Sequence, residues 1–245
     1  MTTSEPDPHE PDQYKAPLTD TPLTEEGRYR ATVRTFTPRW RMSPQTQERM
    51  DTLLPRYAVP TTPLDPVDAF GRDVPVVLEI GSGYGESALA YAREHPDHGV
   101  IAAEVHVPGV ARLMARADEE GLANVRVHRG DAIEYLVQCV GADQLAAVHL
   151  FFPDPWPKAR HAKRRFVQQD TLEMLLHRLR PGGHLLVATD HAAYADHVRG
   201  QLEEHGGVTV VEGERPGWRP SVGFEDKGRA AGRSIHEFRI TAKGE

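Results

Sequence analysis

Strand-like and helix-like segments alternate along most of the chain. The strand-like apolar runs lie at residues 76–80, 99–104, 125–131, 146–152, 184–190, 208–212 and 234–240. A segment with helical spacing follows each of the first five runs, and the segment at 168–183 is predicted to be a helix stopped by Pro-Gly-Gly. Such alternation is typical of parallel strands joined by crossover helices. The predicted fold is therefore α/β: a doubly wound, mostly parallel, seven-stranded Rossmann-like sheet with helices on both faces.

The charge of the chain is segregated. The formal net charge is −7, but residues 1–26 hold seven acids against one lysine, whereas residues 28–41 hold five arginines and no acid. An acidic, proline-rich segment buries too little apolar surface to offset its ordering entropy. We therefore predict a disordered acidic tail at 1–27, a basic N-terminal extension at 28–72 and an α/β domain at 73–245.

Several classes of protein are disfavoured by composition. No apolar run approaches the ~20 residues that span a bilayer, and the N-terminus shows no secretory signal pattern. Cys139 is the single cysteine, which excludes an internal disulfide and a cysteine-based metal or iron–sulfur cluster. The histidines show no metal-ligand spacing. These features favour a cytoplasmic protein with no membrane and no metal.

A glycine-rich turn, LEIGSGYGES, follows the first strand-like run and contains Gly81, Gly83 and Gly85. The dinucleotide fingerprint G-x-G-x-x-G requires a glycine at position 86, where this chain has Glu86. A carboxylate at that helix start would repel a pyrophosphate. The turn therefore favours a cationic cofactor, and a tight turn without a ligand is the alternative.

Three acids lie at the ends of strand-like runs: Glu79, Glu104 and Asp131. The ends of parallel strands share one edge of a sheet, where ligands bind. Glu104 lies where a carboxylate binds ribose hydroxyls, Asp131 can accept from an adenine amino group, and Glu79 can face an amino-acid ammonium. Together they indicate S-adenosylmethionine, whereas any one acid alone is equally well a solvated strand end.

The most distinctive segment is FFPDPWPKARHAKRRF at residues 151–166. Asp154 follows a predicted strand and lies between two prolines, each of which fixes its own φ at about −65°. A carboxylate held there can accept hydrogen bonds from the N1–H and the 2-amino group of a guanine. Trp156 is a candidate for stacking on that base, although such a tryptophan is also common in cores and loops.

A basic cluster follows Asp154 in the same segment and precedes or begins a predicted helix. Cations oppose the macrodipole at a helix start, so we expect an external anion such as RNA phosphate to compensate them. The candidate RNA-binding residues here are Lys158, Arg160, His161 and Arg164.

These segments resemble the bacterial tRNA (guanine-N7)-methyltransferase family. The resemblance rests on LEIGSGYGE, AEVHVPGV, FFPDPWPKARHAKRR and ATD, and it runs from about residue 34 to 238. It implies that residues 73–245 form an S-adenosylmethionine-dependent methyltransferase domain. The cofactor-binding residues it implies are Glu79, Gly81, Gly83, Glu104, Asp131 and Asp154.

The resemblance also implies substrate contacts outside the basic cluster. RTFTPRWRM at 34–42 is similar to the family's basic N-terminal segment, with Arg34 and Arg39 as RNA contacts. Asp190 is similar to a family substrate contact, and a helix N-cap is its alternative role. The family's Thr-x-Phe-Glu-like element is represented by Val222, Gly223, Phe224 and Glu225, where Val222 lacks the threonine hydroxyl.

The leading interpretation is transfer of a methyl group from S-adenosylmethionine to N7 of a guanine in the tRNA variable loop, with Asp154 as the catalytic residue. Whether Asp154 contacts the base, the cofactor or both is left open. The alternatives are a methyltransferase acting on another RNA or a small molecule, and a non-catalytic RNA-binding protein on the same fold. The expected partner is tRNA, and the chain is expected to be a monomer or a homodimer.

Overall fold

The computed structural model describes residues 42–221 and 223–243. The predicted acidic tail and the candidate residues Arg34, Arg39 and Val222 lie outside the described residues. Among the described residues, no helix has the length and apolar character needed to cross a bilayer.

Seven strands form one sheet in the order β3-β2-β1-β4-β5-β7-β6. The first five strands run parallel, and β7 is antiparallel to both of its neighbours. The strands are β1 (Val76–Ile80), β2 (Gly99–Glu104), β3 (Val125–Arg129), β4 (Leu145–Phe151), β5 (Leu179–Thr189), β6 (Val208–Glu212) and β7 (His236–Ala242). The predicted α/β, mostly parallel, seven-stranded fold is confirmed.

Helices cover both faces of the sheet, so the central strands β1, β2 and β4 are buried on both sides. The helices are α1 (Pro44–Tyr57), α2 (Pro66–Phe70), α3 (Glu86–Glu94), α4 (Val107–Glu119), α5 (Ala132–Cys139), α6 (Gln169–Arg178), α7 (Ala192–His205) and α8 (Phe224–Ala230). Leu78 of β1 packs in the core on the side of α5, α6 and α7, whereas Val77 packs on the side of α1, α3 and α4.

Helix α1 attaches the segment before the sheet to the β3 edge. Ser43 caps the helix by accepting from the Thr46 N–H at 3.1 Å, and a proline occupies the first helical position, both of which favour a helix start. At the other end, the Val59 N–H donates to the Val127 carbonyl at 2.9 Å, and Tyr57 is buried. The chain before β1 therefore packs against the sheet.

The helix predicted at 168–183 ends earlier than expected. Helix α6 stops at Arg178, and β5 begins at Leu179 and runs through Pro-Gly-Gly. Gly182 has a φ of 78°, and the pairing of β4 with β5 shifts register at this point. A bulge accommodates the proline and the left-handed glycine within a strand, so this part of the prediction was wrong.

Candidate active site

A cleft opens at the carboxyl ends of the parallel strands, as expected for an open α/β sheet. It is lined by Ile80, Gly81, Ala103, Glu104, Val105, Gly130, Asp131, Ala132, Ile133, Leu150, Phe151, Phe152, Pro153, Asp154, Trp156, Arg164 and Phe166. Four of the predicted cofactor residues thus lie together. Each lies at the end of a different strand or in the segment that follows it: Gly81, Glu104, Asp131 and Asp154.

The glycine turn after β1 adopts a backbone that favours glycine. Gly81, Gly83 and Gly85 have φ values of 71°, 57° and 81°, in the left-handed region that side chains rarely enter. A Cβ atom on Gly81 or Gly83 would meet no atom within 4 Å, whereas one on Gly109 of α4 would lie 2.4 Å from the Gly83 carbonyl oxygen. Space is therefore open beside Gly81, which lines the cleft, and beside Gly83, which does not, whereas the Gly83 carbonyl packs closely against α4.

Glu104 ends β2, and its carboxylate is held by backbone donors. Oε1 accepts from the N–H groups of Val105 at 2.8 Å and His106 at 2.7 Å, and Oε2 accepts from the Gly83 N–H at 2.7 Å. A carboxylate has about four acceptor sites. Glu104 is therefore fixed in orientation and can still accept from a ligand in the cleft.

Asp131 has two roles in the structure. Its Oδ1 accepts from the Ile133 N–H at 2.8 Å and so caps α5, while the residue also lines the cleft. Burial raises the pKa of Asp131 above the usual range. The helix cap fixes the side chain where the sequence predicts an adenine contact.

Glu79 lies outside the cleft lining. Its side chain is buried on the face of the sheet that packs against α3, with Oε2 3.8 Å from the His149 Nδ1. Burial raises the pKa of Glu79 to about 8 and holds the pKa of His149 well below its usual range. Burial therefore favours the neutral form of both groups near pH 7, and the predicted contact of Glu79 with an ammonium stays a prediction.

The loop that carries Asp154 is held in an uncommon conformation. Phe152 and Trp156, on either side of it, have φ values of 52° and 42°, each at a cost of about 1–3 kcal/mol. Buried Arg165 fixes the loop by donating from Nε to the Pro155 carbonyl at 3.1 Å and from Nη2 to the Trp156 carbonyl at 3.4 Å. Asp154 itself is exposed at the rim of the cleft.

The basic cluster forms a 3₁₀ helix at Ala159–Arg164, and α6 begins only at Gln169. The Arg164 guanidinium lies 5.1 Å from the centre of the Trp156 ring, and the His161 ring meets that indole edge-on at 5.8 Å. Desolvation and the neighbouring cations lower the pKa of His161. No carboxylate in residues 42–221 and 223–243 forms a salt bridge with Lys158, Arg160, Lys163 or Arg164, so this positive charge faces the solvent beside Asp154.

The late segment around α8 is tied down by ion pairs. Glu225 is buried, and its Oε1 accepts from Arg215 Nε at 3.1 Å and from Arg229 Nη2 at 2.9 Å. Burial alone would raise the pKa of Glu225, but these hydrogen bonds and the nearby Arg219 charge lower it overall. Its neighbour Phe224 is 65% exposed.

Asp190 follows β5 and pairs with Arg233 Nη2 at 2.7 Å. It also contacts α8 closely, because a Cβ on Gly228 would lie 2.8 Å from the Asp190 Cβ. The predicted substrate contacts of Asp190, Phe224 and Glu225 stay predictions. The structure joins Asp190 and Glu225 to the segment's own arginines, and it places none of the three in the cleft lining.

Sequence reasoning missed two buried arginines beside the site. Arg165 supports the Asp154 loop, and Arg219 lies against the rings of Phe151 and Phe152. Arg165 directly follows the basic cluster that is predicted to bind RNA, and no local sequence pattern around Arg219 indicates its burial. Within the described ranges, no group of three His, Cys, Asp or Glu side chains is arranged to hold a metal ion.

Comparisons with known proteins agree with this geometry. Residues 73–238 match a family described as "Putative methyltransferase". The tRNA (guanine-N(7)-)-methyltransferase of Nitrosomonas europaea is 44% identical over 196 residues, which cover 78% of this chain and 88% of that protein. The protein of the same name from Paraburkholderia xenovorans is 38% identical over 238 residues, covering 94% and 90%.

Solved structures share the fold at low sequence identity. The crystal structure of the 16S rRNA methyltransferase KamB aligns with a TM-score of 0.56 at 15% identity, covering 77% of this chain and 99% of that one. A 30S ribosomal A1408 methyltransferase from an uncultured bacterium aligns with a TM-score of 0.52 at 10% identity, covering 76% and 99%.

Proposed function

We propose that this chain, which belongs to the tRNA (guanine-N(7)-)-methyltransferase family, transfers a methyl group from S-adenosylmethionine to N7 of a guanine in tRNA. The observation that carries the proposal is the position of Asp154. It lies at the rim of a cleft that also contains Glu104 and Asp131, and directly beside a solvent-facing basic 3₁₀ helix. We place the target guanine in the tRNA variable loop.

The residues of the cleft fit S-adenosylmethionine. Glu104 is fixed by three backbone donors and keeps acceptor capacity for ribose hydroxyls. Asp131 can accept from the adenine amino group, and the open glycine turn gives backbone access at Gly81 and Gly83. When bound, the cofactor supplies an electrophilic methyl group on a sulfonium.

Asp154 supports the reaction through positioning and charge. Guanine N7 already carries a lone pair, so no base is needed to generate the nucleophile, and orientation of the reactants accounts for much of the rate. The Asp154 carboxylate accepts from the guanine N1–H and 2-amino group. These hydrogen bonds strengthen as positive charge develops in the purine, which stabilises the transition state more than the ground state.

The basic 3₁₀ helix binds the RNA backbone beside the target base. Its exposed lysines and arginines neutralise phosphates. Trp156 and Arg164 line the cleft next to Asp154 with the guanidinium over the indole. This pair offers a flat surface on which an unstacked base can lie.

The test is nucleoside mass spectrometry of unmodified tRNA incubated with the protein and S-adenosylmethionine. We expect 7-methylguanosine in tRNA, and none in a matched transcript whose variable-loop guanine is replaced by adenine. Absence of 7-methylguanosine from both would sink the proposed function. Equal methylation of the two transcripts would contradict only the assignment of the target guanine to the variable loop.

Asp154→Asn tests the electrostatic role of the carboxylate. We expect a loss of at least ~10²-fold in single-turnover rate at saturating tRNA and cofactor, with binding of both largely kept. Near-normal turnover would refute that role. A collapse of cofactor affinity with turnover preserved at saturation would instead assign Asp154 to cofactor binding.

A further inference from the structure

Arg219 lies buried behind the Asp154 loop, outside the cleft. Its side chain is 1% exposed, and its guanidinium carbon lies 4.7 Å from the Phe151 ring centre and 5.4 Å from that of Phe152. These two phenylalanines immediately precede Pro153 and Asp154. The guanidinium therefore contacts the residues from which the Asp154 loop departs.

The same guanidinium is anchored by two acids from other elements. Nη2 donates to Glu237 of β7 and lies 3.2 Å from Glu225 Oε2 of α8. Glu225 is in turn held by Arg215 and Arg229. Arg219 thus connects the end of β4 with β7 and α8 through one planar group.

Phe152 requires such a support because its backbone is strained. Its φ of 52° lies in a region that bulky residues enter only when the surroundings enforce it. On the backbone side, the Phe152 N–H donates to the Ala188 carbonyl at 2.7 Å. On the side-chain side, the ring lies against Arg219.

Burying the charge of Arg219 has a large desolvation cost, which a purely structural role does not explain. A buried ion pair is commonly no more stabilising than apolar side chains of similar volume. In addition, Nε and Nη1 of Arg219 have no hydrogen-bond partner among the described residues. The contact of the planar Arg219 guanidinium with the Phe151 and Phe152 rings therefore explains its presence better than a contribution to folding stability does.

We propose that Arg219 is a positioning residue for Asp154. Anchored by Glu225 and Glu237, its guanidinium packs against the Phe151 and Phe152 rings and so fixes the direction in which the Asp154 loop leaves β4. This inference rests on the proposed function for its kinetic consequence. Its structural consequence, a fixed Phe152 backbone, does not depend on that function.

Arg219→Lys keeps the positive charge but removes the planar guanidinium face that lies against the two phenylalanine rings. The matched control is Arg199→Lys. Arg199 also pairs with two acids, Asp196 and Glu212, and its guanidinium also lies over a phenylalanine ring, at 5.7 Å, but on β7. We expect Arg219→Lys to lower the single-turnover rate by ~10–100-fold, as for a catalytic group displaced by up to about 1 Å. Cofactor affinity should change less than ~3-fold, and Arg199→Lys should leave both quantities unchanged.

A double mutant separates positioning from a general structural effect. In an Asp154→Asn background, Arg219→Lys should lower the rate by less than ~3-fold, because the group that it positions is already lost. Full additivity of the two losses, or an unchanged rate in Arg219→Lys, would overturn the proposal. If Arg219→Lys fails to fold, Glu237→Gln tests the proposal instead. We expect Glu237→Gln also to lower the single-turnover rate, and an unaltered rate would contradict the proposal.

Amide hydrogen exchange tests the inference without any turnover. In residues 151–157, prolines at 153, 155 and 157 leave few amides, and the Phe152 amide is one of them. We expect faster exchange at Phe152 in Arg219→Lys and unchanged exchange in Arg199→Lys. If the wild-type protein makes no 7-methylguanosine, the proposed function fails, and exchange alone decides the positioning: an unaltered Phe152 rate would overturn it.

Discussion

Gly109→Ala should weaken cofactor binding although the new side chain is a single methyl group outside the cleft lining. Gly109 lies in the first turn of α4, and a Cβ there would be 2.4 Å from the Gly83 carbonyl oxygen and 3.1 Å from the Gly83 carbonyl carbon. Ordinary contacts between such atoms are about 3.5 Å. The glycine turn must therefore retreat by roughly 1 Å, or α4 must move by the same distance.

That displacement would move the Gly83 N–H, which holds the Glu104 carboxylate in its orientation. The Gly83 N–H donates to the Glu104 Oε2 at 2.7 Å, and a shift of roughly 1 Å breaks this hydrogen bond. Without this donor, binding itself must orient the Glu104 carboxylate, which takes the free energy of a hydrogen bond to a charged group, about 1.5–3 kcal/mol. Each 1.4 kcal/mol is tenfold in affinity. We therefore expect the Kd of S-adenosylmethionine to rise at least ~10-fold.

Folding stability should respond differently from cofactor affinity. Alanine is favoured over glycine in a helix by about 1 kcal/mol, whereas overpacking costs about 1–3 kcal/mol. The expected net change in the free energy of unfolding is a loss of about 0–2 kcal/mol. The matched control is Gly200→Ala within α7, where a Cβ would meet nothing within 4 Å, and there we expect a gain of about 0.5–1 kcal/mol with an unchanged Kd.

Calorimetric titration with S-adenosylmethionine and urea denaturation measure the two quantities. The reasoning is refuted if Gly109→Ala behaves as Gly200→Ala does, with increased stability and an unchanged Kd. Such a result would mean that α4 and the turn separate freely, and that the close contact at Gly109 does not hold the cofactor site in place.

Three further outcomes follow from the site. Glu104→Ala should weaken cofactor binding, because a ribose loses its acceptors, and an unchanged affinity by calorimetry would remove Glu104 from the site. Arg164→Gln should reduce the slope of log tRNA affinity against log salt by about 0.7–0.9, and a salt-independent complex would contradict phosphate binding. Burial raises the pKa of Glu79 to about 8, above the value of about 4.3 in the unfolded chain. Between these two pH values the folded state binds one more proton than the unfolded state. The free energy of unfolding therefore falls as pH rises from about 4.3 to about 8. Glu79→Gln should remove this fall in cofactor-free urea denaturation, and an identical pH profile would show that Glu79 does not titrate as described.

The core of the fold could be predicted because its sequence pattern is local. The run VVLEI at 76–80 is apolar at every position except Glu79. Its bounds agree with β1 to the residue, as do those of the runs predicted for β2 and β6. The β5 start could not be predicted in this way. Pro-Gly-Gly after a helical segment usually ends it, and only the bulge against Leu145 and Ala147 allows a strand to continue through it.

The cleft could be predicted in part for the same reason. Glu104, Asp131 and Asp154 each follow an apolar run, so chain topology alone brings them to one edge. The partners of the later arginines could not be predicted, since nothing local distinguishes buried Arg219 from exposed Arg160. Arg219 meets Glu237 across 18 residues, a pairing that depends on how β7 enters the sheet.

The position of β7 has a consequence for how the protein is made. Its residues are synthesised after those of the other six strands, yet β7 lies between β5 and β6 and supplies Glu237 to Arg219. Domains generally begin to fold from the N-terminal side during translation. A nascent chain still lacking residues 236–242 therefore leaves β5 without its outer neighbour and Arg219 without its anchor. We expect nascent chains to contain the cleft acids early but to become competent only once β7 has emerged. A premature stop before β7 should expose an aggregation-prone strand edge.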